Sequence, residues 1–528
     1  MCSIEKVIRG KIKSEQDYFN ALYDSLHTDG IMMSMSSLLE RSFRLFPNNS
    51  ALIWQDKEIS YRELYYRACV MSKKLLRLGV KPRDRILLFF ENSLEFYIGY
   101  YGILQAGAVV APLNIFLKEA ELQHIVSDAK PTLIIASTES HELFSKVEGI
   151  SSIPILTEKD MELETLVPTT IPHVEIPRLG PDEMVALLYT SGTTGLPKGV
   201  MLSSRNIMIN MIQGLSRLQL LPGERLFGIL PLFHSFAQNT CVWLSLFTGC
   251  TVILVPKIER RYILQGLQHK PTIFLGVPAL YGLLCLLKTA PLDSVRYFVS
   301  GGDALPDRIR MAFGLLYRRK ICSGYGLTET SPFVSIDFAD ETVPTNNVGR
   351  PLLGIDCSVR DEQGNEIVAG EIGELWLRGA NIMLGYYNAP EMTQEAMVNN
   401  WFRTGDLAYI DTKGRIVITG RIKDLIIHKG LNIYPQEIEN VIQSHPNVIR
   451  VGVIGEEADT GEVPIAYVQV RKEDAGLEKA LMALCVRQLA SYKVPRKFIL
   501  TTDNLPTTAT GKVDKKVLRK QHAEQDGQ

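Results

Sequence analysis

The sequence predicts an α/β protein: a large N-terminal domain of two α/β subdomains plus a small β-barrel subdomain, followed by a small α+β C-terminal domain. Three observations carry this. Apolar strand-like runs alternate with amphipathic helical runs over residues 86–136 and again after residue 184, the pattern of βαβ units and parallel sheets. From about Val348 the texture changes to short alternating runs, such as Ile355–Arg360 and Gly373–Arg378, separated by turns like Asp361-Glu-Gln-Gly, which suits antiparallel strands. After a last such strand over residues 414–420, a separate helix-and-strand pattern fills residues 421–528. A chain of 528 residues is also too long for one ordinary core. We read residues 36–420 and 421–528 as the two domains and residues 1–35, whose periodicity is weak, as a weakly anchored N-terminal arm.

In chain order, helical spacing runs from Ser36 through Phe46, and Ser60 is placed to cap a helix that begins at Tyr61. Strands are expected at Ile86–Phe90, Val109–Pro112 and Thr132–Ala136, with helices at Leu94–Ala106 and Lys118–Ser127 between them. Met184 to Leu188 reads as a buried strand. Then follow a strand at Thr272–Val277, a helix at Ala279–Lys288, a strand at Val295–Ser300 and a helix at Asp307–Tyr317. The basic run from Lys512 to Lys520 reads as the solvated face of a last helix.

Composition narrows the function classes. The 57 basic residues balance 58 acidic ones, which argues against a nucleic-acid partner. Eight scattered cysteines form no C-x-x-C pair, so buried thiols in a reducing, cytoplasmic setting are expected. The N-terminal stretch has no apolar centre of the secretory kind. The longest apolar run, Ile103–Leu117, is interrupted by Gln105, Gly107, Pro112 and Asn114 and is too short to span a bilayer. Peripheral membrane contact, and a monomer or homodimer, stay open.

The chemistry gathers around Tyr189-Thr-Ser-Gly-Thr-Thr-Gly-Leu-Pro-Lys-Gly-Val-Met-Leu-Ser203. Thr190, Ser191, Thr193 and Thr194 offer hydroxyls, with Gly192, Gly195 and Gly199 between them. Glycine lets the backbone approach closely, and successive N–H groups form a nest for anionic oxygens. Lys198 adds a mobile positive charge. The spacing is not the common phosphate loop: counted from Gly192, the second required glycine falls on Pro197, and Gly199 follows Lys198 where Ser or Thr should stand. A plain polar loop is the alternative, and the buried strand ahead of it argues against that.

Further stretches are weaker alone. His234 stands in Leu230-Pro-Leu-Phe-His-Ser-Phe236, and a lone histidine in an apolar run is usually a core residue. Ser300-Gly-Gly-Asp-Ala-Leu305 follows a strand and precedes a helix, where open α/β sheets bind ligands. A simple turn would need only one glycine; Gly301 and Gly302 together leave room for a substrate tail. Gly324-Tyr-Gly-Leu-Thr-Glu-Thr330 begins like a dinucleotide fingerprint but has Glu329 at the third glycine. Thr404-Gly-Asp406 is a common turn, and Lys512 in Leu505-Pro-Thr-Thr-Ala-Thr-Gly-Lys-Val-Asp514 could be an exposed lysine after a turn.

Taken in order, these stretches resemble the signatures of the adenylate-forming superfamily: acyl- and aryl-CoA synthetases, peptide-synthetase adenylation domains and beetle luciferases. The resemblance covers about residues 36–520. It implies ATP, Mg2+ and CoA, and it assigns roles. Thr190, Ser191, Gly192, Thr193, Thr194, Gly195 and Lys198 would meet the phosphates, and Gly302, Asp303 and Gly326 would line the nucleotide. Tyr325 would stack on adenine, Thr328 would reach the α-phosphate, and Glu329 would hold magnesium, as a carboxylate suits a hard cation. Asp406 would accept from the ribose hydroxyls and Arg421 would contact ribose or phosphate. Lys512 would be the adenylation lysine, carried by a mobile C-terminal domain that turns about a hinge at Lys423. Gly430 would help form the CoA tunnel. His234, Ser235, Phe236, Gly276, Val277, Gly301 and Ser331 would form the pocket for the acid.

Domains that activate α-amino acids carry an aspartate where this chain has Ser235; a buried ammonium left without that partner is costly, so an amino acid substrate is disfavoured. Coumarate ligases and luciferases carry lysine at the position of Ile427 and often alanine at that of Tyr434; Gly430-Leu-Asn-Ile-Tyr-Pro435 looks more like bacterial medium- and long-chain fatty acyl-CoA ligases. The implied reaction is ATP-dependent activation of such an acid to an acyl-adenylate, then transfer to CoA. An acyl carrier protein could replace CoA, since both end in the same thiol. A catalytically inactive nucleotide-binding protein should have lost Glu329, Asp406, Arg421 or Lys512, and all four are present. No G-x-S-x-G elbow occurs, in keeping with a reaction that needs no protein nucleophile.

Overall fold

The computed structural model describes residues 14–526, leaving out Asp29, Asp56, 162–176, Arg178, 192–195, 339–345, 429–430, 459–460 and 509–511. Four sheets of five strands or more organise it. The first has seven strands, in the order Gly385–Tyr386, Pro197–Ser203, Met184–Ser191, Val109–Pro112, Arg85–Phe89, Leu133–Ala136 and Ile155–Leu156. Its strands from Met184–Ser191 onward are parallel, and the first two joins are antiparallel. Val109–Pro112 and Leu133–Ala136 are buried at every position, which is why they read as unbroken apolar runs rather than alternating ones.

The second sheet has eight strands, in the order Phe333–Ile336, Cys322–Gly326, Tyr297–Ser300, Ile273–Gly276, Arg225–Gly228, Thr251–Leu254, Ser50–Trp54 and Lys57–Ser60. It is parallel through the middle and antiparallel at both edges. The helix Leu94–Gln105 is buried everywhere except Glu95 and ties the first sheet to a π-helix at Gln238–Leu244. The Tyr97 and Tyr101 hydroxyls donate to the carbonyls of Cys241 and Val242, and the Tyr100 hydroxyl donates to Gln238 Oε1. A buried tyrosine needs such a partner.

The third sheet, Asn347–Gly349, Ile416–Arg421, Trp401–Ile410, Gly373–Gly379 and Ile355–Arg360 with Met397–Val398 beside Trp401–Ile410, is antiparallel throughout. Where a barrel is expected, no pairing joins its two edge strands among the described residues. Each edge is occupied locally instead, by bridges from Pro351 to Ser335 and from Arg360 to Glu366. The fourth sheet holds Leu431–Ile433, Ile426–His428, Gly461–Val470 and Val448–Ala458, with Lys497–Thr501 parallel to Gly461–Val470. Helices Pro435–Gln443 and Leu477–Gln488 cover one face through Ile438, Ile442, Leu481 and Cys485. The helix Lys515–Asp526 covers the other through Leu518.

The expected loose arm of residues 1–35 needs correction in its described part. Ser14 caps a helix at Glu15–Ser25, which packs on the helix Ser204–Leu218 with Tyr18 and Leu22 buried and Glu15 paired to Arg217 at 2.9 Å. None of the seven described cysteines is in a disulfide with another described residue. No helix among the described residues is long and apolar enough to cross a membrane.

Candidate active site

The phosphate end lies where the first and second sheets meet. Strand Met184–Ser191 pairs with Pro197–Ser203, which sets Lys198 opposite Thr190. A Cβ at Gly199 would stand 2.8 Å from Leu187 Cδ1, so that side chain would have to shift. Gly192, Thr193, Thr194 and Gly195 lie outside the described residues, and Ser191 is placed by its backbone only. Lys198 Nζ reaches Tyr386 Oη at 2.6 Å and Glu329 Oε1 at 3.1 Å.

Glu329 comes from the second sheet, on the 3-10 turn Thr328–Thr330 just after strand Cys322–Gly326. Gly326 is held to glycine, since a Cβ would fall 1.9 Å from the Pro332 carbonyl oxygen. The Thr328 and Ser235 hydroxyls are 3.1 Å apart, which brings the expected α-phosphate contact to the edge of the expected acid pocket.

These groups suit Mg-ATP. Among the described residues Thr190 Oγ1 is buried with no hydrogen-bond partner, and Thr190 stands opposite the lysine, where a phosphate oxygen would satisfy it. Among the described residues no group of three or more His, Cys, Asp or Glu could hold a metal unaided. Magnesium bound by one carboxylate and by substrate phosphates needs no such group.

The ribose end is built by register. Asp406 on Trp401–Ile410 faces Arg421 on Ile416–Arg421, and Arg421 Nε lies 2.9 Å from Asp406 Oδ1. The Tyr325 hydroxyl donates to Asp406 Oδ2 at 2.6 Å, so the tyrosine expected against adenine is tied to the carboxylate expected to meet ribose. Burial, reinforced by Asp406, pushes the Tyr325 phenol well above its ordinary value and keeps it a donor. Asp406 in turn holds the Arg421 guanidinium in its charged form. Beyond Arg421, Lys423 sits exposed in the turn Ile422–Asp424, whose Asp424 accepts from Arg519 of the last helix at 2.8 Å. Gly430 lies outside the described residues.

The acyl end is apolar. Its floor begins at His234, which caps the short helix Ser235–Ala237 by accepting the Phe236 amide on Nδ1 at 3.3 Å. Burial lowers the imidazole to about 4, and the positive charge of Lys512 pushes the same way. Lys512 therefore stands near this floor, on the segment where its carbonyl accepts from the Thr508 amide.

Three pocket expectations change. The space beside Gly301 is filled: a Cβ there would meet Phe236 Cε1 at 3.1 Å, and the Phe236 ring packs edge-on against Phe333 at 5.8 Å. Gly276 points its missing side chain at Leu280 and Tyr281 in the strand–helix core, although its carbonyl accepts the Gly301 amide at 3.0 Å. Ser331 is fully buried, and its hydroxyl donates to the Asn381 carbonyl at 2.9 Å, so it braces the turn rather than lining the pocket. Val277 and Gly302 remain beside each other at 3.6 Å, measured to a Gly302 Cβ, with Gly302 at φ +82°. Asp303 is exposed and accepts from the Ala304 amide.

Tyr386 is the site residue that sequence reasoning misses. Its position becomes visible only from the pairing of Gly385–Tyr386 with Pro197–Ser203.

Comparison with known proteins gives the family. Residues 39–387 match the family described as AMP-binding enzyme, and residues 437–512 match the AMP-binding enzyme C-terminal domain. A long-chain-fatty-acid–CoA ligase of Bacillus subtilis (strain 168) is 30% identical, over 93% of this chain and 95% of its own. A feruloyl-CoA synthase of an Amycolatopsis species is 32% identical, over 91% of this chain and 97% of its own. The crystal structure of ATP-bound MatB from Rhodopseudomonas palustris superposes with a TM-score of 0.85 at 30% identity, covering 93% of this chain and 99% of that one. The crystal structure of apo MatB from the same organism superposes with a TM-score of 0.75 at 30% identity. On these matches the chain belongs to the AMP-binding enzymes and is an AMP-forming acid–thiol ligase.

Proposed function

We propose that the protein activates an apolar carboxylic acid, a medium- or long-chain fatty acid, with Mg-ATP and transfers the acyl group to CoA. The observation that carries the reading is the convergence of Lys198, Glu329 and Thr328, drawn from two sheets, beside an acyl end near Lys512. The acid's carboxylate oxygen attacks the α-phosphorus. A new P–O bond forms there, the bond to the bridging oxygen breaks, and pyrophosphate leaves. Lys512 holds the carboxylate against the α-phosphate, and the Thr328 hydroxyl and Lys198 stabilise charge that develops on phosphate oxygens. Glu329 would hold magnesium, whose charge offsets that of the phosphates.

In the second step the CoA thiol loses its proton and attacks the acyl carbonyl, and AMP leaves. Residues 421–528, turning about Lys423, withdraw Lys512 and bring the Gly430 segment to the thiol. Ser235 supports an acid without an ammonium group. It is buried beside Thr328 and carries no charge to meet one.

The test is pyrophosphate release from ATP with acids from acetate to palmitate, plus cinnamate and benzoate, with and without CoA. We expect release with a medium or long fatty acid and acyl-CoA when CoA is present. Lys512→Ala should lower release by about 10²–10³-fold, the scale of losing a group that stabilises transition-state charge. Adenylate formation without acyl-CoA would instead point to an acyl carrier protein as acceptor. Activity confined to cinnamate or benzoate would overturn the fatty acid.

A further inference from the structure

Residues 381–387 have no part in the reaction above, yet they touch both halves of the phosphate end. Toward the second sheet, the Met383 amide donates to the Glu329 carbonyl at 2.9 Å and the Asn381 side-chain amide donates to the Thr330 carbonyl at 2.9 Å. Toward the first sheet, the Leu384 and Tyr387 amides donate to the Met201 and Gly199 carbonyls at 2.9 and 2.8 Å, which makes Gly385–Tyr386 the edge strand next to Lys198. The Tyr386 hydroxyl closes the circuit. It donates to Glu329 Oε1 at 2.9 Å and accepts from Lys198 Nζ at 2.6 Å, while the ammonium also lies 3.9 Å from the centre of the same ring.

We infer that Tyr386 is a positioning residue: it holds Lys198 and Glu329 at the separation that receives a nucleotide triphosphate, and residues 381–387 clasp the two α/β subdomains around it. The inference rests on the proposed reading of this site. Lys198 sits on a long, flexible side chain in one sheet, and Glu329 sits on a turn from another. They pair directly at 3.1 Å, but a contact between a flexible ammonium and a turn carboxylate is easily lost, and a rigid third group touching both holds it before the ligand arrives. Tyr386 suits that task, being only 5% exposed and pinned at its own amide by Thr393 Oγ1. The hydroxyl has one proton, which it gives to Glu329, and lone pairs that accept from Lys198. Arginine or lysine in its place would add a charge beside Lys198, and phenylalanine would keep the ring but drop the bridge.

The experiment is calorimetric binding of Mg-ATP and of AMP to the full chain, as wild type, Tyr386→Phe, Lys198→Met and the double variant. Tyr386→Phe should bind Mg-ATP about tenfold more weakly, the scale of a charge-assisted hydrogen bond. AMP, which lacks the β- and γ-phosphates, should bind within about twofold of wild type. In the Lys198→Met background the same substitution should have little further effect, because the hydroxyl acts through the lysine. In steady state the KM for ATP should rise while the KM for the acid does not.

Equal weakening of AMP and Mg-ATP would mean a merely structural role and overturn the inference. So would wild-type affinity for Mg-ATP in Tyr386→Phe, or a full effect in the absence of Lys198. A wild-type chain that binds no Mg-ATP would overturn the reading of the site as well; one that activates acids normally, with an unaffected Phe variant, would overturn this inference alone.

Discussion

The expected phosphate end and the expected acyl end of the site are held together by different forces. At the phosphate end, charged and polar groups from elements far apart in sequence meet through short hydrogen bonds, as Lys198, Tyr386 and Glu329 do. At the expected acyl end, the Phe236 ring packs edge-on against Phe333, and a side chain added at Gly301 or Gly302 would meet only the apolar atoms of Phe236 or Val277 at close range. The first kind of contact tolerates few residue types, because triphosphate needs a cation, a carboxylate and hydroxyls at set places. The second tolerates many, because one apolar side chain can replace another if the total volume is kept. That difference explains why relatives of similar identity are named for acids as unlike as long-chain fatty acids and ferulate.

The largest effect should come from breaking the phosphate end. Glu329→Gln removes the negative charge and leaves an oxygen that can still accept from Tyr386 and Lys198. Acid-dependent pyrophosphate release should fall about 10²–10³-fold while the KM for the acid holds. Release at the wild-type rate would mean that this carboxylate takes no part in handling the phosphates, and the contrast between the two ends would collapse.

A smaller and more selective effect is expected at the acyl end. Phe236→Leu trims the ring that occupies the space beside Gly301, and Gly301→Val crowds it. The first should shift preference toward longer or bulkier acids and the second toward shorter ones. A change of one or two methylenes is worth about 10–200-fold in relative kcat/KM. The KM for ATP should not move in either variant. The more drastic Phe236→Ala would cost about 3–5 kcal/mol of stability at this buried site, which is why leucine is preferred. If both variants keep the wild-type order of acids, the pocket's depth is set elsewhere.

Much of the fold is legible in the sequence where a local pattern and its punctuation coincide. The helix Asp307–Tyr317 and the strand Ile355–Arg360 fall within the bounds the periodicity predicts. The helix Glu15–Ser25 is missed because its buried stripe amounts to Tyr18 and Leu22, too short to stand out, and the surface that buries them is contributed by Ser204–Leu218. The π-helix Gln238–Leu244 is buried at every position, so no polar face marks its period.

In the site, Lys198, Glu329, Asp406 and Arg421 announce themselves through motif spacing, and the fold pairs them. Tyr386 carries no such signal. Its role depends on which strand it lies beside and on the turn of its side chain toward another sheet. Ser331 shows the converse error: the family resemblance places it in the acid pocket, but its hydroxyl donates to the Asn381 carbonyl.

The smallest expected effect concerns His234, which stands where the two ends meet. Burial is the main cause of its low value of about 4, and the Lys512 charge is the lesser one. The unfolded chain has an ordinary imidazole near 6.5. Between about pH 4 and 6.5 the folded chain therefore binds fewer protons than the unfolded chain, and the contribution of His234 to stability is lost as the pH falls through that window. Across pH 7–8 the ring stays neutral, so it should add no pH dependence of its own to turnover there.

Replacing Lys512 by methionine removes the lesser cause and leaves the burial. The imidazole value should then rise and remain below 6.5. An NMR titration of selectively labelled histidines, with His234→Gln assigning one signal among nine, reads this directly. No movement in Lys512→Met would place the lysine away from the acyl end and detach the C-terminal domain from adenylation as described. A full return to 6.5 would instead make the lysine's charge, not burial, the force that keeps this ring neutral, so that withdrawing Lys512 for the second step would itself switch the charge at the floor of the pocket.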